Sequence, residues 1–207
     1  MAMILSSFEI EKAVRIIKEG KVIVYPTETF YGLGANALDK KAINKVFYIK
    51  KRPFNKPISI LIPDITWLER LVEEISPYAK ELIRHFWPGP LTLVFKAKKT
   101  VPSNLIASTG KIAIRISSHP LTQKFVKKLN LPITTTSANL SNNPPPTSIE
   151  EIDQEIKNKI DAIIDGGKTK GGLASTIIDV TTENLCCLRK GAIRLEDILK
   201  ITGLKIY

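Results

Sequence analysis

Two short polar segments in this 207-residue chain carry side chains suited to holding a polyphosphate. Lys50 and Arg52 stand just before Pro53, where a helix must end because proline disfavours helical geometry in the residue before it. Arginine offers a planar fork of donors and lysine a compact charge, so together they can hold and neutralise phosphate oxygens. Ser137 and Asn139 follow an apolar stretch, and their short hydroxyl and amide groups can bond phosphate or ribose without filling a pocket. Thr27, Glu28 and Thr29 follow an earlier apolar run in the same way. Ligands of open α/β sheets tend to sit beyond strand ends, so these loops are expected to converge on one nucleotide pocket. The residues alone leave a second reading open, with Arg52-Pro53 an ordinary helix exit and Ser137-Ala138-Asn139 a plain turn.

Other patterns carry less. Gly32-Leu33-Gly34-Ala35-Asn36-Ala37 matches the dinucleotide-binding glycine pattern, but it begins well past the strand ending at Tyr25, and Arg52 stands where a ribose-binding acid belongs. A tight turn and close backbone packing are the expected uses of its glycines. Gly167-Lys168-Thr169 resembles the end of a phosphate-binding loop, but Ala162 replaces the required first glycine and Gly171-Gly172 follows where a helix should begin. Cys186 and Cys187 are adjacent in a strand-like segment and lack metal-site spacing, so reduced structural thiols are expected. His85 and His119 lie in no metal-binding pattern and read as helix-end or surface residues. The net charge of +11 favours an anionic partner such as a nucleotide or RNA, although residues such as Lys124, Lys127 and Lys128 also suit a solvated helix face. No apolar run approaches the roughly 18 residues a membrane helix needs, and Met1–Ser6 lacks a basic start, so no membrane and a cytoplasmic location are expected.

The elements that must position these residues alternate between helix and strand. Ser6 and Glu9 resemble a capping box ahead of a helix carrying Ile10, Ala13, Val14 and Ile17 on one face and stopped by Gly20. Further helices are expected after Asp39 (with Ile43, Val46 and Phe47), after Asp64, from Ser76-Pro77 to Trp87-Pro88-Gly89-Pro90, and over 120–129, 149–156 and 196–201. Strands are expected at 21–25, 58–62, 91–96, 111–116, 133–135, 162–164, 176–180 and 185–189. Asn142-Asn143-Pro144-Pro145-Pro146 is too donor-poor for a helix or central strand and reads as a loop. One α/β domain over 1–207, with its core at about 7–201 and a largely covered mixed sheet, is the economical architecture.

A series of segments is similar to the YrdC family, whose members include the threonylcarbamoyl-AMP synthases. The matches are Pro26 to Gly34, Lys50-Lys51-Arg52-Pro53, Trp87 to Thr92, Ile112 to Arg115 and His119-Pro120. They continue with Ser137-Ala138-Asn139, Asp165-Gly166-Gly167, Ser175-Thr176-Ile177 and Leu188 to Gly191, in family order along nearly the whole chain. The resemblance implies a three-layer YrdC-like α/β fold with a twisted, mixed parallel/antiparallel sheet and a concave basic cavity, in the short single-domain form. It implies a nucleotidyltransferase that joins L-threonine, bicarbonate and ATP into threonylcarbamoyl-adenylate and pyrophosphate, the first step of threonylcarbamoyladenosine formation in tRNA.

Carried over by position, Lys50, Arg52, Ser137 and Asn139 are the expected catalytic residues and bind ATP together with Arg189. Thr27, Arg115, Thr135 and Ser175 are expected around L-threonine, with Arg115 on its carboxylate. Mg²⁺ is expected as a bridge between phosphates, with no metal site in the protein. Expected partners also include RNA or tRNA and the proteins that transfer the threonylcarbamoyl group. Three positions depart from the family pattern: Leu61 replaces a frequent histidine near threonine, Lys111 a small hydroxyl residue, and Pro145 a serine beside the nucleotide. The competing readings are an RNA-binding module without catalysis and a carbamoyl-transfer domain like that of hydrogenase-maturation proteins. The cysteine-rich zinc fingers of the latter are absent from this sequence.

Overall fold

A computed structural model of the chain describes residues 2–207. Its strands are β1 (Met3–Leu5), β2 (Ile23–Tyr25), β3 (Gly32–Gly34), β4 (Ser59–Leu61), β5 (Leu91–Lys96), β6 (Lys111–Arg115), β7 (Ile133–Ser137), β8 (Ala162–Ile164), β9 (Thr176–Asp179) and β10 (Cys186–Arg189). The helices are α1 (Ile10–Lys18), α2 (Lys40–Lys50), α3 (Leu68–Leu71), α4 (Pro77–Phe86), α5 (Ser103–Ile106), α6 (Pro120–Leu129), α7 (Gln154–Lys157) and α8 (Leu195–Thr202), with a 3-10 turn at Ile65–Trp67 before α3. The strands form one sheet in the order β1-β8-β2-β3-β7-β4-β6-β5-β9-β10. Parallel pairs (β1 with β8, β8 with β2, β4 with β6, β5 with β9) mix with antiparallel ones, so the mixed α/β class expected above holds.

Alternation along each strand divides the apolar residues between two clusters. Val22 and Val24 join the larger cluster, while Ile23 and Tyr25 join the smaller. Helices α2, α3, α4 and α8 supply Ile43, Val46, Leu68, Leu71, Ala79, Leu82 and Ile198 to the larger. Helices α1 and α6 supply Ile10, Ala13, Val14, Ile17, Phe125, Val126 and Leu129 to the smaller. The result is helix, sheet, helix in three layers.

The helix starts follow the capping residues. The Asp39 carboxylate accepts from the backbone N–H groups of Lys41 (2.8 Å) and Ala42 (3.3 Å), and Ser76 Oγ accepts from Ala79 N ahead of Pro77. At the first helix only half of the expected capping box forms: Glu9 accepts from Ser6 N and Oγ, and no side chain caps the helix.

Four features differ from the sequence reading. Gly32–Gly34 is a strand between β2 and β7 rather than a turn. The close packing expected of its glycines does occur, because a Cβ on Gly34 would lie 2.5 Å from the Tyr25 ring. Ser137 ends β7, paired with Gly32, instead of standing in a loop. The helix expected over 149–156 shrinks to the four residues of α7, because Glu151 accepts from both the backbone N–H and the hydroxyl of Thr147 and holds the preceding stretch in a turn. Finally, β1 and α5 are too short to show a period in the sequence.

Candidate functional site

The face bearing the smaller apolar cluster is covered by α1 and α6 only in part. Beyond them the same alternation brings up polar side chains in place of apolar ones. On and beside β4, Ile58, Ile60 and Ile62 go to the larger cluster, which leaves Ser59 on the other face. Its partner Thr135 lies on β7, and across the sheet Thr92 of β5 pairs with Ile177 of β9. A cavity of about 410 Å³ opens over this patch. All nine residues expected from the sequence line it: Thr27, Lys50, Arg52, Arg115, Thr135, Ser137, Asn139, Ser175 and Arg189. The cavity therefore spreads over the sheet face and is not confined to the strand ends. Lys56, Thr29, Thr92 and Ser141 also line it. These went unassigned, although the alternation of β5 marks Thr92 as facing away from the apolar side.

Lys50 is the last residue of α2 and is only 2% exposed. Its ammonium donates to the Asn139 carbonyl at 2.8 Å, to Asn139 Oδ1 at 3.0 Å and to the Ser137 carbonyl. Three protein acceptors match the three donors of an ammonium, so Lys50 fastens the Ser137–Asn139 segment to the end of α2. Burial, with a smaller push from Arg52, brings its pKa down to about 7. The three oxygens around it oppose that shift by favouring the charged form.

Arg52 is half-buried; its Nε donates to Lys56 O at 3.1 Å and its Nη2 to Pro57 O at 2.8 Å. Arg189, on β10, grips Ser175 twice, Nε to the carbonyl at 3.0 Å and Nη2 to Oγ at 2.8 Å. Burial lowers the pKa of Arg189, and Arg115 and Arg52 lower it further by repulsion. Lys50, Arg52, Lys56, Arg115 and Arg189 thus share one wall system, and no aspartate or glutamate is among the lining residues. An anion entering the cavity would relieve the repulsion among these cations.

Arg115 ends β6 and is 4% exposed. One of its amino groups pairs with Glu28, whose other carboxylate oxygen accepts from Ser117 Oγ. The Nε of Arg115 is buried and has no hydrogen-bond partner among the described residues, while the residue itself lines the cavity, where its positive charge suits a carboxylate. Beside it, Thr27 Oγ1 donates to Phe30 O at 2.7 Å and lies 3.2 Å from Thr29 Oγ1, which shapes the turn after β2.

The three departures fall in different places. Leu61 is buried in the smaller apolar cluster and does not line the cavity. Lys111 is held by Asp179 at 2.7 Å and also lies outside the lining, whereas Pro145 does line it.

The Gly167-Lys168-Thr169 segment has a structural use. Thr169 Oγ1 donates to Thr29 O at 2.9 Å, and the Tyr31 hydroxyl donates to Gly167 O at 2.7 Å. Cys186 and Cys187 are free thiols on β10, His85 lies in the last turn of α4, and His119 precedes α6. With no carboxylate in the lining, the cavity walls do not suit a resident divalent cation. No helix among the described residues is long and apolar enough to cross a membrane.

Comparison with known proteins places this arrangement. Residues 15–191 match the Sua5/YciO/YrdC family, described as Telomere recombination. The chain is 41% identical over 199 residues to the threonylcarbamoyl-AMP synthase of Pyrococcus abyssi, covering 96% of this chain and 58% of that protein. It is 38% identical over 196 residues to the enzyme of that name from Bacillus subtilis, covering 94% of this chain and 57% of that one. The crystal structure of P. abyssi Sua5 complexed with L-threonine superimposes with a TM-score of 0.94 at 39% identity, over 100% of this chain and 62% of that one. The chain thus spans somewhat under two thirds of these relatives, and with its fold, its ordered motifs and the match over 15–191 it belongs to the Sua5/YciO/YrdC family.

Proposed function

We propose that the chain is a threonylcarbamoyl-AMP synthase, which joins L-threonine, bicarbonate and ATP to form threonylcarbamoyl-adenylate, pyrophosphate and water. One observation carries the reading: a cation-walled cavity with no acid in its lining is continuous with a hydroxyl-lined region walled by Arg115, Thr27, Thr135 and Ser175. The first suits a triphosphate and the second a small carboxylate. Relatives bearing this enzyme name, and a related structure that holds L-threonine, support the assignment of the two halves.

In this reading Arg52, Lys56 and Arg189 meet the phosphates, while Lys50 holds Ser137 and Asn139 against the nucleotide and adds its charge from beneath. Arg115 takes the threonine carboxylate, with Thr27, Thr135 and Ser175 around the rest of the molecule. The threonine amine and bicarbonate give a carbamate and water. A carbamate oxygen then attacks the α-phosphorus and pyrophosphate leaves. Because the carbamate is itself a sufficient nucleophile, the protein needs only to align it and stabilise the developing charge. Mg²⁺ enters as the counter-ion of ATP and not as a group held by the chain. The adenylate then serves tRNA modification, by way of a transfer protein.

The test is pyrophosphate release by the purified chain with ATP, L-threonine and bicarbonate, and with each omitted in turn. Release is expected only with all three present; ATP turnover indifferent to threonine would sink the proposal.

A further inference from the structure

The Thr92 hydroxyl lies 2.9 Å from Ser175 Oγ, and Thr92 is only 1% exposed. Ser175 is its only hydrogen-bond partner among the described residues, so this buried hydroxyl is aimed at one atom of the cavity wall. That atom also accepts from Arg189 Nη2 at 2.8 Å. Ser175, of the amino-acid half, is therefore tied through one atom to Arg189 of the nucleotide half and to Thr92 behind it.

The segment around it has little freedom to shift. Ala192 N donates to Ala174 O at 2.8 Å, and Thr176 Oγ1 accepts from Ile193 N at 2.9 Å and donates to Ile193 O at 2.7 Å. A Cβ on Gly191 would stand 2.3 Å from Ala174 O. The adjustable parts of this contact are thus the hydroxyl rotors and the Arg189 side chain.

We infer that Thr92 is a positioning residue that couples amino-acid binding to nucleotide binding through Ser175 and Arg189, an inference that rests on the function proposed above. The reason is hydrogen-bond capacity. A hydroxyl has one hydrogen and two acceptor sites, and arginine can only donate. When Ser175 turns its hydrogen toward a ligand oxygen, Arg189 occupies one of its acceptor sites and Thr92 supplies the donor for the other. The ligand is thereby met by an oriented hydroxyl, and the same orientation holds the Arg189 fork. Binding on either side prepares the other, and by thermodynamic reciprocity the two enhancements must be equal.

Thr92→Val removes the hydroxyl at nearly constant volume, and Thr92→Ser retains it. L-threonine is titrated calorimetrically into wild type and both variants, with and without α,β-methylene-ATP, and pyrophosphate release is followed in parallel. In Thr92→Val the KM for threonine should rise about tenfold, the loss expected for one hydrogen bond to a polar ligand site. The tightening of threonine binding by the analogue should fall towards 1, with the melting temperature held to within a few degrees, and Thr92→Ser should recover most of both effects. Wild-type coupling retained in Thr92→Val, or Thr92→Ser as impaired as Thr92→Val, overturns the inference while leaving the proposed function standing. Wild type without threonine-dependent pyrophosphate release overturns both.

Discussion

At the scale of single residues, Lys50 and Arg52 have parted company. Both are expected from the sequence to meet the phosphates, but only Arg52 is substantially accessible in the cavity. Lys50 is buried and satisfies three oxygens of the Ser137–Asn139 segment. Arg52→Ala should therefore lower threonine-dependent pyrophosphate release by about a hundredfold or more with little change in stability, since it removes charge stabilisation in the transition state. Lys50→Ala should cut activity as deeply and also cost about 1–3 kcal/mol of stability in urea denaturation, because it orphans buried acceptors. Equal stability of the two variants would contradict the geometry. Lys50 should also make nucleotide binding depend on pH. With its free-state pKa near 7, it loses its proton as pH rises through that value, and a bound polyanion favours the charged form. The affinity for α,β-methylene-ATP should weaken above pH 7 with proton uptake on binding, measured by calorimetry in buffers of different ionisation enthalpy. A flat profile without proton uptake would mean the three oxygens keep Lys50 charged throughout.

At the scale of elements, β3 shows how a strand can be hidden by its own composition. Glycine is a poor strand former, and the Gly32-Leu33-Gly34 pattern reads more readily as a turn. It forms a strand because β2 and β7 supply hydrogen-bond partners on both sides and the Tyr25 ring occupies the space that side chains would need. Gly34→Ala should cost about 1–3 kcal/mol, measured by urea unfolding, since the added methyl meets a ring whose hydroxyl is tied to Thr134 O at 2.9 Å. Wild-type stability would mean that the ring gives way freely. The longer periodic elements were legible from the start. Helices α1, α2, α4 and α6 each have a stripe of apolar residues, and three of the four carry a capping residue or an N-terminal proline. At α7 the helix is shorter than its pattern suggests, because a local contact between Thr147 and Glu151 outcompetes its first turns.

At the scale of the whole molecule, the cavity and the sheet are one construction. The helices covering one face stop short, and the uncovered surface presents hydroxyls and arginines from β4, β5, β6, β7 and β10, and from Ser175 just before β9, in a single concavity. Threonine and the ATP analogue, bound together, should raise the melting temperature by more than the sum of their separate shifts, because linked binding stabilises the folded state cooperatively. Additive shifts would point to independent sites. The sequence by itself determined the α/β class, the main helices and strands, and the residue types fit to meet phosphate. These follow from periodicity, capping chemistry and side-chain charge, all of which are local. Only the tertiary structure decided that residues from Thr27 to Arg189 share one cavity, that Lys50 serves the Ser137–Asn139 segment, and that Leu61 lies outside the site. Those outcomes depend on strand order and register, which bring distant segments into contact and which no local pattern encodes.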